Sequence, residues 1–307
     1  MSLPTITLVT PTYNQADYLV ETLDSVLAQD YKALEYLVID DGSTDATPAV
    51  LARYADRVRY LHQDNAGQAR TLNRAWSLAS GKYLGYLSSD DLLLPAAVRR
   101  LVDVLEADSS IVCVFPNADL IDAQSKVIRR AVCRPFDLER AVVEQECYIG
   151  PGAVFRRSAF EAAGGWRPEL RLAPDREFWI RLAEQGRIHF LDQDLARYRN
   201  HPQSTSWRQA DEQTSREYLA VLDEYFARAK VPPRIAARRD EAYARAKLLM
   251  ARNAFWRADF SRGWGLYKEA CALHGPFASL GTKLMLARHS LSKPAKLLYM
   301  RFVTPLR

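Results

Sequence analysis

Two adjacent aspartates, Asp90 and Asp91, are the residues of this chain whose type and spacing point most directly to chemistry. They follow an apolar run, 83–87, that has the character of a buried strand, and a strand end holds side chains rigidly. Neighbouring carboxylates repel each other, and a divalent cation relieves the repulsion. Because Mg²⁺ and Mn²⁺ take oxygen ligands and reach phosphates through one or two carboxylates, the pair predicts a metal–diphosphate site. The alternative is a helix N-cap ahead of Pro95.

The elements that must position this pair come from an alternating pattern in the first part of the chain. Apolar runs predict strands at 6–9, 34–39, 58–61, 82–87 and 111–115. Segments with helical apolar spacing predict helices at 17–28, 44–54, 66–79 and 95–105. Strands separated by helices of this length imply βαβ units and right-handed crossovers. We therefore predict an α/β, Rossmann-like fold with a mostly parallel central sheet and helices on both faces.

Polar clusters follow the first four predicted strands. They are Pro11-Thr12-Tyr13-Asn14, the segment 40–45, Asn65-Ala66-Gly67 and the segment 88–91. Each cluster alone is ordinary turn chemistry, because Asp, Asn, Ser and Gly favour turns. Sheets of this kind bind ligands in the crevice outside the carboxyl ends of their strands. Four polar clusters at that edge therefore predict the rim of a binding site.

The pattern changes after residue 115. Residues 116–147 predict an irregular excursion over the sheet. Beyond it the sequence predicts strands at 153–155 and 188–191, and helices at 158–163, 175–185, 212–229, 235–256, 261–273 and 281–300, the last broken at Pro294. We predict a ligand-binding α/β domain at 1–207 and a helical C-terminal region at 208–307.

Composition and charge restrict the class of protein. The chain has 307 residues, of which 48% are hydrophobic and 26% charged, as in ordinary soluble proteins. No apolar run approaches a membrane span, and no signal peptide or CxxC spacing is present, so we predict a cytoplasmic location. Residues 1–207 carry 23 basic and 28 acidic residues, whereas residues 208–307 carry 19 basic and 9 acidic ones. This asymmetry predicts an anionic partner for the C-terminal region.

Seven groups of residues resemble one known family in order and approximate spacing. They are 11–14, 23–29, 38–45, the group 65–67 with Arg70 and Asn73, 81–91, the group 156–157 with 164–166, and 175–182. Through these motifs, which span roughly residues 4–205, the chain resembles the family 2 inverting glycosyltransferases of the GT-A fold. The resemblance implies that residues 1–207 bind a nucleotide sugar and carry out catalysis.

The resemblance implies a role for each matching residue. Asp41 is similar to the carboxylate that receives the nucleotide base, Tyr13 to the aromatic that packs on that base, and Arg70 to a basic residue that faces the diphosphate. The alternatives are a core tyrosine for Tyr13 and a solvated helix charge for Arg70. The full set of residues predicted to bind the nucleotide sugar is Pro11, Tyr13, Asn14, Asp41, Gly67, Arg70, Ser89, Asp90, Arg199 and His201.

The resemblance also implies a metal site and a catalytic base. Asp91 is similar to the principal ligand of Mg²⁺ or Mn²⁺, with Asp90 as its neighbour. Ser88 stands where many relatives carry a further aspartate. Asp175 resembles the base that takes the proton of the acceptor hydroxyl while the metal stabilises the departing nucleoside diphosphate. Its alternative is a helix N-cap, with Glu177 in the first turn.

The segment from Tyr198 to Ser204 is similar to one that closes over the diphosphate in relatives. Arg199 and His201 are its predicted ligand-binding residues, although a lone histidine is more often structural. Beyond this segment the resemblance ends. Residues 280–307 include several lysines and arginines but no aspartate or glutamate. They predict either helices packed on the catalytic domain or contact with an anionic membrane.

The predicted function is a metal-dependent inverting transfer of sugar from a UDP-, dTDP- or GDP-sugar to an acceptor hydroxyl. A glycan or lipid-linked acceptor in bacterial surface polysaccharide assembly fits a cytoplasmic enzyme that is peripheral to the inner face of the membrane. One alternative is a sugar-nucleotide nucleotidyltransferase, which would need a Gly-rich basic loop where 11–14 stands. Another is a non-catalytic carbohydrate or membrane adaptor. A nucleic-acid partner is disfavoured, because the basic residues lie on predicted amphipathic helices.

Overall fold

The computed structural model describes residues 3–172, 174–204 and 211–287. These residues form two compact units. The first unit contains 3–136, 148–169 and 174–200, and the second contains 137–147, 170–172, 201–204 and 211–287. Each unit is described separately below.

The first unit alternates strands and helices. Its strands are β1 (Ile6–Thr12), β2 (Leu34–Asp40), β3 (Arg59–His62), β4 (Tyr83–Tyr86), β5 (Leu92–Leu93), β6 (Ile111–Ile121), β7 (Val127–Arg129), β8 (Val154–Arg156) and β9 (Arg187–Arg199). Its helices are α1 (Ala16–Leu27), α2 (Thr47–Ala52), α3 (Gln68–Leu78), α4 (Ala97–Ala107), α5 (Arg157–Ala163) and α6 (Pro174–Leu182). The βαβ alternation predicted for the first 115 residues is confirmed.

Nine strands of the described chain form one sheet, in the order β3-β2-β1-β4-β8-β6-β9-β5, with β7 paired to β6. The strands β3, β2, β1 and β4 are parallel to one another, and β6 is parallel to β9. Strand β8 runs antiparallel between β4 and β6. The predicted α/β fold with a Rossmann-like, mostly parallel sheet is confirmed, and β1 is buried along its whole length because it lies inside this sheet.

Register explains why the polar clusters meet. Residues of β1 pair with those of β2 from Ile6 opposite Leu34 to Thr12 opposite Asp40, so both strands end side by side. Strand β4 pairs in parallel with β1 on the side away from β2. The segments that follow β1, β2 and β4 therefore leave the same edge of the sheet, which is the crevice position expected of parallel α/β folds.

An aromatic cluster packs α3, α5 and α6 together around Trp76. The rings of Phe155 and Phe160 meet Trp76 edge-on at 5.5 and 5.3 Å, and that of Phe178 stacks on it at 6.2 Å. Edge-to-face and offset geometries at these distances are favourable beyond simple burial. The cluster anchors α6, and with it Asp175, to the core of the first unit.

The loop before α6 is fixed by Asn73 on α3. The Asn73 side chain accepts a hydrogen bond from the Trp166 N–H at 2.8 Å and donates one to the Trp166 carbonyl at 2.6 Å. A Cβ on Gly165 would lie 2.3 Å from the Asn73 Oδ1, so this close approach requires glycine. The matching of Asn73 with Gly164-Gly165-Trp166 in the sequence thus reflects one physical contact.

Two sequence predictions for the first unit need correction. The segment 116–147 is not irregular throughout, because β6 continues to Ile121 and forms a hairpin with β7. Strand β9 runs to Arg199 instead of ending near 191, since it pairs with β6 along most of that length. Polar residues interrupt the apolar pattern in both strands, so the sequence did not indicate these extensions. Asn117 is buried but donates to Asp192 at 2.8 Å, and Asp119 accepts from the Ala131 N–H at 3.0 Å.

The second unit is helical in its described part. It contains a π-helical turn (Arg140–Glu144) and the helices α7 (Glu212–Ser215), α8 (Glu217–Ala227), α9 (Pro233–Ala236), α10 (Arg239–Trp256) and α11 (Phe260–Leu273). A 3₁₀ turn (Gly275–Ala278) and a helical segment at 280–287 follow. The helix predicted over 281–300 and its break at Pro294 lie outside the described residues beyond 287. Within the described helices, none is long and apolar enough to cross a membrane.

Candidate active site

The loops after β1 and β2 are tied together by Asn14. Its side-chain Oδ1 accepts from the Thr44 N–H at 2.8 Å, and its own N–H donates to the Ser43 Oγ at 2.9 Å. Asn14 takes a left-handed backbone conformation, with φ 53°, that asparagine tolerates better than most residues. These bonds hold residues 43 and 44 in the loop, and α2 accordingly begins at Thr47 and not at residue 44 as predicted.

Tyr13 lies at the same edge and is 42% exposed. The alternative of a core tyrosine is therefore wrong, and the ring offers an open face at the carboxyl end of β1. Pro11 is buried within β1, opposite Ile39 of β2. An exposed aromatic ring beside a fixed polar loop suits stacking on a planar base, because such rings have a free π-face.

Asp41 follows β2 and is buried. Its Oδ1 accepts hydrogen bonds from the Gln63 Nε2 at 2.6 Å and the Ala66 N–H at 2.9 Å, and its Oδ2 accepts one from the Gly67 N–H at 2.9 Å. These three bonds hold the loop that leads into α3, where Gly67 is the N-cap. The exposed Arg70 lies in the first turn of α3, where its Nη1 meets the Ala66 carbonyl at 3.5 Å.

Gln63 contacts the candidate site residue Asp41, and the sequence did not predict it. Besides Asp41, its amide donates to the Thr71 hydroxyl at 3.0 Å and accepts from Arg74 at 2.7 Å. A glutamine outside any recognised motif carries no local signal of such a role. The signal lay in its position one residue after β3, at the same edge of the sheet as the polar clusters.

Asp91 is 4% exposed, whereas Asp90 beside it is half-buried. In the described residues the Asp91 carboxylate accepts a hydrogen bond from the Arg199 backbone N–H at 2.8 Å. Burial raises the pKa of Asp91 well above its usual range, the charge of Asp90 raises it further, and the Arg199 N–H opposes them. A cation placed beside such a carboxylate would favour its charged form.

The N-cap alternative for the pair is wrong. Helix α4 begins at Ala97, and its N-cap is Ala96 in a left-handed conformation, with φ 64°. Between the aspartates and that helix, Leu92 and Leu93 form the short strand β5, which pairs with β9. Ser89 is buried in the turn before the pair. The aspartates therefore belong to a loop at the sheet edge and to no helix.

Helix α1 supports this loop from one side. The Thr22 hydroxyl donates to the Asp91 carbonyl at 2.9 Å, and the Ser25 hydroxyl accepts from the Leu93 N–H at 3.2 Å. Beyond the helix end, the Gln29 amide donates to the Leu94 carbonyl at 2.9 Å and accepts from the Val98 N–H at 3.1 Å. Residues spaced in this way share a helix face, so one surface of α1 holds the backbone around Asp91.

Arg199 supports the loop from the other side and is fully buried. Its Nε donates to the Asp90 carbonyl at 2.8 Å, and its Nη1 donates to the Ser125 hydroxyl at 2.8 Å. Its Nη2 pairs with Glu21 at 3.1 Å, and the guanidinium lies 5.0 Å from the centre of the Tyr18 ring. The hydrogen bonds described for the guanidinium therefore go to protein groups, one of which is the Asp90 carbonyl, and the side chain is closed off from solvent.

His201 and Ser204 lie in the second unit. The His201 N–H donates to the Ser204 Oγ at 3.2 Å, and the Ser204 N–H donates to the His201 carbonyl at 3.0 Å, so these residues form a closed turn. His201 is fully buried. Its contact with a nucleotide sugar stays a prediction.

Asp175 is the second residue of α6 and is half-buried. Because the helix begins at Pro174, the aspartate lies inside the first turn and does not cap it. Burial raises the pKa of Asp175, while the Arg176 N–H and charge oppose the rise. Its neighbour Glu177 is buried in an ion pair with Arg181, with an Nε–Oε1 distance of 2.6 Å. Glu177 is thus a structural residue, and Asp175 is the acidic residue of this turn with a raised pKa.

A divalent cation fits the donor set at Asp90 and Asp91. Among the described residues, no group of three or more His, Cys, Asp or Glu side chains is arranged to hold a metal. Mg²⁺ and Mn²⁺ nevertheless bind through one or two carboxylates when waters and substrate phosphates complete the shell. The buried, electrostatically unfavourable Asp91 carboxylate matches that requirement.

Structural comparison shows that the fold is of the GT-A type. The S. aureus protein TarS, in complex with UDP-GlcNAc, is similar with a TM-score of 0.64 at 16% identity, over 88% of this chain and 92% of that one. The mannosyltransferase PcManGT of Pyrobaculum calidifontis, in complex with GDP-Man and Mn²⁺, gives 0.61 at 21% identity, over 96% and 87% of the two chains.

The chain belongs to glycosyl transferase family 2, whose family model matches residues 7–164, just over half of the chain. A glycosyltransferase of Rickettsia typhi is 28% identical over 73% of this chain and 70% of its own length. The chondroitin synthase of Escherichia coli is 30% identical over 71% of this chain but only 32% of its own length. The protein is accordingly a glycosyltransferase, as the sequence motifs predicted.

Proposed function

We propose that the protein is a metal-dependent, inverting glycosyltransferase that moves a sugar from a nucleoside-diphosphate sugar to an acceptor hydroxyl. The observation that carries this proposal is the buried Asp91 carboxylate, held from two sides at the carboxyl edge of a family 2 sheet. Similar folds bind UDP-GlcNAc in TarS and GDP-Man with Mn²⁺ in PcManGT. The donor is accordingly a UDP-, GDP- or dTDP-sugar.

The nucleotide binds across the ends of β1 and β2 in this proposal. Tyr13 stacks on the base with its exposed ring, and Asp41 shapes the base pocket by fixing the loop of Ala66 and Gly67. The Asp41 Oδ2 accepts one of the three protein hydrogen bonds and has a further lone pair for a ring N–H. Arg70 carries an exposed positive charge one turn away, which suits the diphosphate.

Asp91, assisted by Asp90, holds Mg²⁺ or Mn²⁺ in this proposal. When bound, the cation supplies the charge that stabilises the departing nucleoside diphosphate. Arg199 acts as a positioning residue in place of the direct ligand contact expected from sequence, because its guanidinium fixes the Asp90 carbonyl and its N–H fixes the Asp91 carboxylate.

Asp175 is the general base. Its carboxylate takes the proton of the acceptor hydroxyl as that oxygen attacks the anomeric carbon on the face opposite the diphosphate, which inverts the configuration. The pKa of this carboxylate is raised by burial, and a base whose pKa is nearer the working pH accepts a proton more effectively.

The acceptor in this proposal is a glycan or a lipid-linked sugar used in bacterial surface polysaccharide assembly, at the inner face of the membrane. Two observations support this choice. One is the similarity to the chondroitin synthase of Escherichia coli, and the other is the excess of basic residues in the C-terminal region.

The decisive experiment incubates the purified protein with UDP-, GDP- and dTDP-sugars, Mn²⁺ and candidate acceptors. Release of nucleoside diphosphate together with a glycosylated product of inverted anomeric configuration, detected by nuclear magnetic resonance, is the expected result. A product of retained configuration contradicts the inverting mechanism. Turnover that is unchanged by a chelator contradicts the metal site. Release of pyrophosphate from a nucleoside triphosphate and a sugar phosphate would instead identify a nucleotidyltransferase.

A further inference from the structure

The second unit exposes an apolar face. On α11, Phe260 is 61% and Trp264 50% exposed, and these residues lie one helical turn apart. On the helical segment 280–287, Leu280 is 70% and Leu284 61% exposed, again one turn apart. Large aromatic and aliphatic side chains concentrated on two successive helices form more than the scattered apolar exposure of an ordinary surface. We call Phe260, Trp264, Leu280, Leu284 and Met285 the apolar face.

A groove lies within this face, and its rings are held in place. Phe255, Tyr267 and Leu286 line it together with Phe260 and Trp264. The Trp264 ring meets those of Phe255 and Tyr267 edge-on, at 5.6 Å in each case. A Cβ on Gly263 would lie 2.4 Å from the Phe255 ring, so glycine permits this close packing. The exposed indole is thus fixed on the surface by its neighbours.

Charge around the face favours an anionic partner. Lys283 lines the groove, and the described segment from Cys271 to Ala287 contains no aspartate or glutamate to offset its charge. The acidic residues on or beside α11 have internal partners. Asp259 caps the helix by accepting from the Arg262 N–H at 3.0 Å, and Glu269 pairs with Lys247 at 2.6 Å.

Exposed Trp and Phe beside a lysine, with the neighbouring acidic residues held by internal partners, are typical of a surface that lies in a membrane interface. Aromatic rings settle at the level of the lipid headgroups, and basic side chains lie along the apolar surface while their charges reach lipid phosphates. A groove that bound an acidic protein segment would need the same charge but not the exposed leucines around its rim.

We propose that the apolar face docks on an anionic lipid bilayer, with Phe260 and Trp264 inserted among the headgroups and Lys283 paired with lipid phosphate. This surface belongs to the second unit alone. The proposal does not depend on the donor, the metal or the stereochemistry of the transfer.

Sedimentation of the full-length protein with lipid vesicles tests this proposal. The protein is mixed with vesicles of phosphatidylcholine alone or of an equal mixture of phosphatidylcholine and phosphatidylglycerol. We expect the wild type to bind the anionic vesicles. Combining Phe260→Ser with Trp264→Ser should weaken this binding about tenfold, because the variant lacks the two rings that would be buried among the lipid headgroups. Leu78→Ser combined with Ile128→Ser, two exposed apolar residues of the first unit, is the matched control and leaves binding unchanged.

Two further variants keep the test decisive if the double variant does not fold. Lys283→Glu preserves every apolar side chain and should weaken binding to anionic vesicles. Trp264→Phe preserves an aromatic ring and should remove most of the fluorescence quenching produced by brominated lipids. Equal binding of wild type to both vesicle types, or unchanged binding of the double variant, overturns the proposal. Self-association that the double variant abolishes, without vesicle binding by the wild type, overturns it in favour of a second copy of this chain.

Discussion

At the scale of single residues, the feature on which the proposed function depends is one buried carboxylate. Asp91 is almost inaccessible to solvent, lies beside the acidic Asp90, and is raised in pKa by both conditions. Buried charges without compensation are unfavourable and are retained where function requires them. In the proposed site, a cation at the carboxyl ends of the strands would provide that compensation. The arrangement that destabilises the metal-free protein would then favour the metal complex.

This balance predicts opposite effects of Asp91→Asn on stability and on activity. A folded-state pKa above the unfolded value means that stability falls as the pH rises from the unfolded to the folded pKa, and that it stays reduced at neutral pH. The neutral amide avoids this penalty and keeps an acceptor for the Arg199 N–H. We expect a higher melting temperature at neutral pH without metal, together with a loss of turnover of about 10²-fold or more.

Calorimetric melting with and without Mn²⁺ and a nucleoside diphosphate measures both effects. The stabilisation that the metal gives the wild type should be absent from the Asp91→Asn variant. Full metal dependence in that variant would remove Asp91 from the proposed site.

Asp175→Asn tests the second carboxylate. Loss of the general base should lower kcat by about 10²-fold or more, while the Kd for the donor nucleotide stays close to that of the wild type. Because burial raises the pKa of Asp175, wild-type activity should fall as the pH drops through a value above that of an ordinary aspartate. The acidic limb of the pH–rate profile and donor titration by calorimetry measure these outcomes. Near-normal turnover in the variant would contradict the assignment.

At the scale of elements, the loop at Asp90 and Asp91 is held between α1 and the end of β9. Ser25 and Gln29, which belong to a motif shared with family 2, bind the backbone of residues 93–98. Arg199 binds the Asp90 carbonyl from the opposite side. The motif at 23–29 is therefore a support for the acidic loop, and its residues do not need to touch substrate to be required.

Arg199→Lys tests this support. Lysine keeps the positive charge but cannot reproduce the planar fork that donates to the Asp90 carbonyl, Ser125 and Glu21 at once. We expect the apparent KM for Mn²⁺ to rise about tenfold, with a smaller change in the affinity for metal-free nucleotide. A merely structural defect would lower stability without this separation of the two constants.

Arg187→Lys on the same strand is the matched control. Its partner Asp108 is paired at 2.6 Å on the surface, where an ion pair contributes little to stability. This variant should behave like the wild type in both metal and nucleotide titrations. Equal changes in the two lysine variants would indicate a general effect of β9 and no specific positioning by Arg199.

At the scale of the whole molecule, the described chain divides its properties between two units. The first unit contains the parallel sheet, the acidic loops and Asp175, and the second is helical and carries the basic region and the apolar face. Donor binding should therefore respond to changes in the first unit, and vesicle binding to changes in the second.

Ligand-linked stability provides a test at this scale. A nucleoside diphosphate with Mn²⁺, at about 100 times its Kd, should stabilise the protein by about 2.7 kcal/mol, and either component alone should do less. Asp41→Ala releases the loop of Ala66 and Gly67 and should weaken this effect. The Phe260→Ser and Trp264→Ser double variant should retain it. Thermal melting across UDP, GDP and dTDP measures the effect and identifies the preferred base.

Much of the fold and part of the candidate site followed from the sequence. Apolar periodicity is a local property, so it predicted β1 to β4, β6 and the helices between them, but not the two-residue strand β5. The departures occur where polar residues lie inside strands, as at Asn117 and Asp119, since their burial depends on partners that local periodicity does not reveal. The start of α2 differs from the prediction for the same reason. Asn14 holds Thr44 in a turn, where the sequence predicted the first residue of the helix.

The sequence by itself determined the family, the class of reaction and which acidic residues to consider, because these depend on residue type and on order along the chain. Only the tertiary structure decided what each side chain contacts. It placed Arg199 against the backbone of Asp90, made Gln63 a partner of Asp41, and excluded a helix cap at Asp91. The physical reason is that burial and hydrogen bonding between segments far apart in the chain arise from strand order and register, which no local pattern specifies.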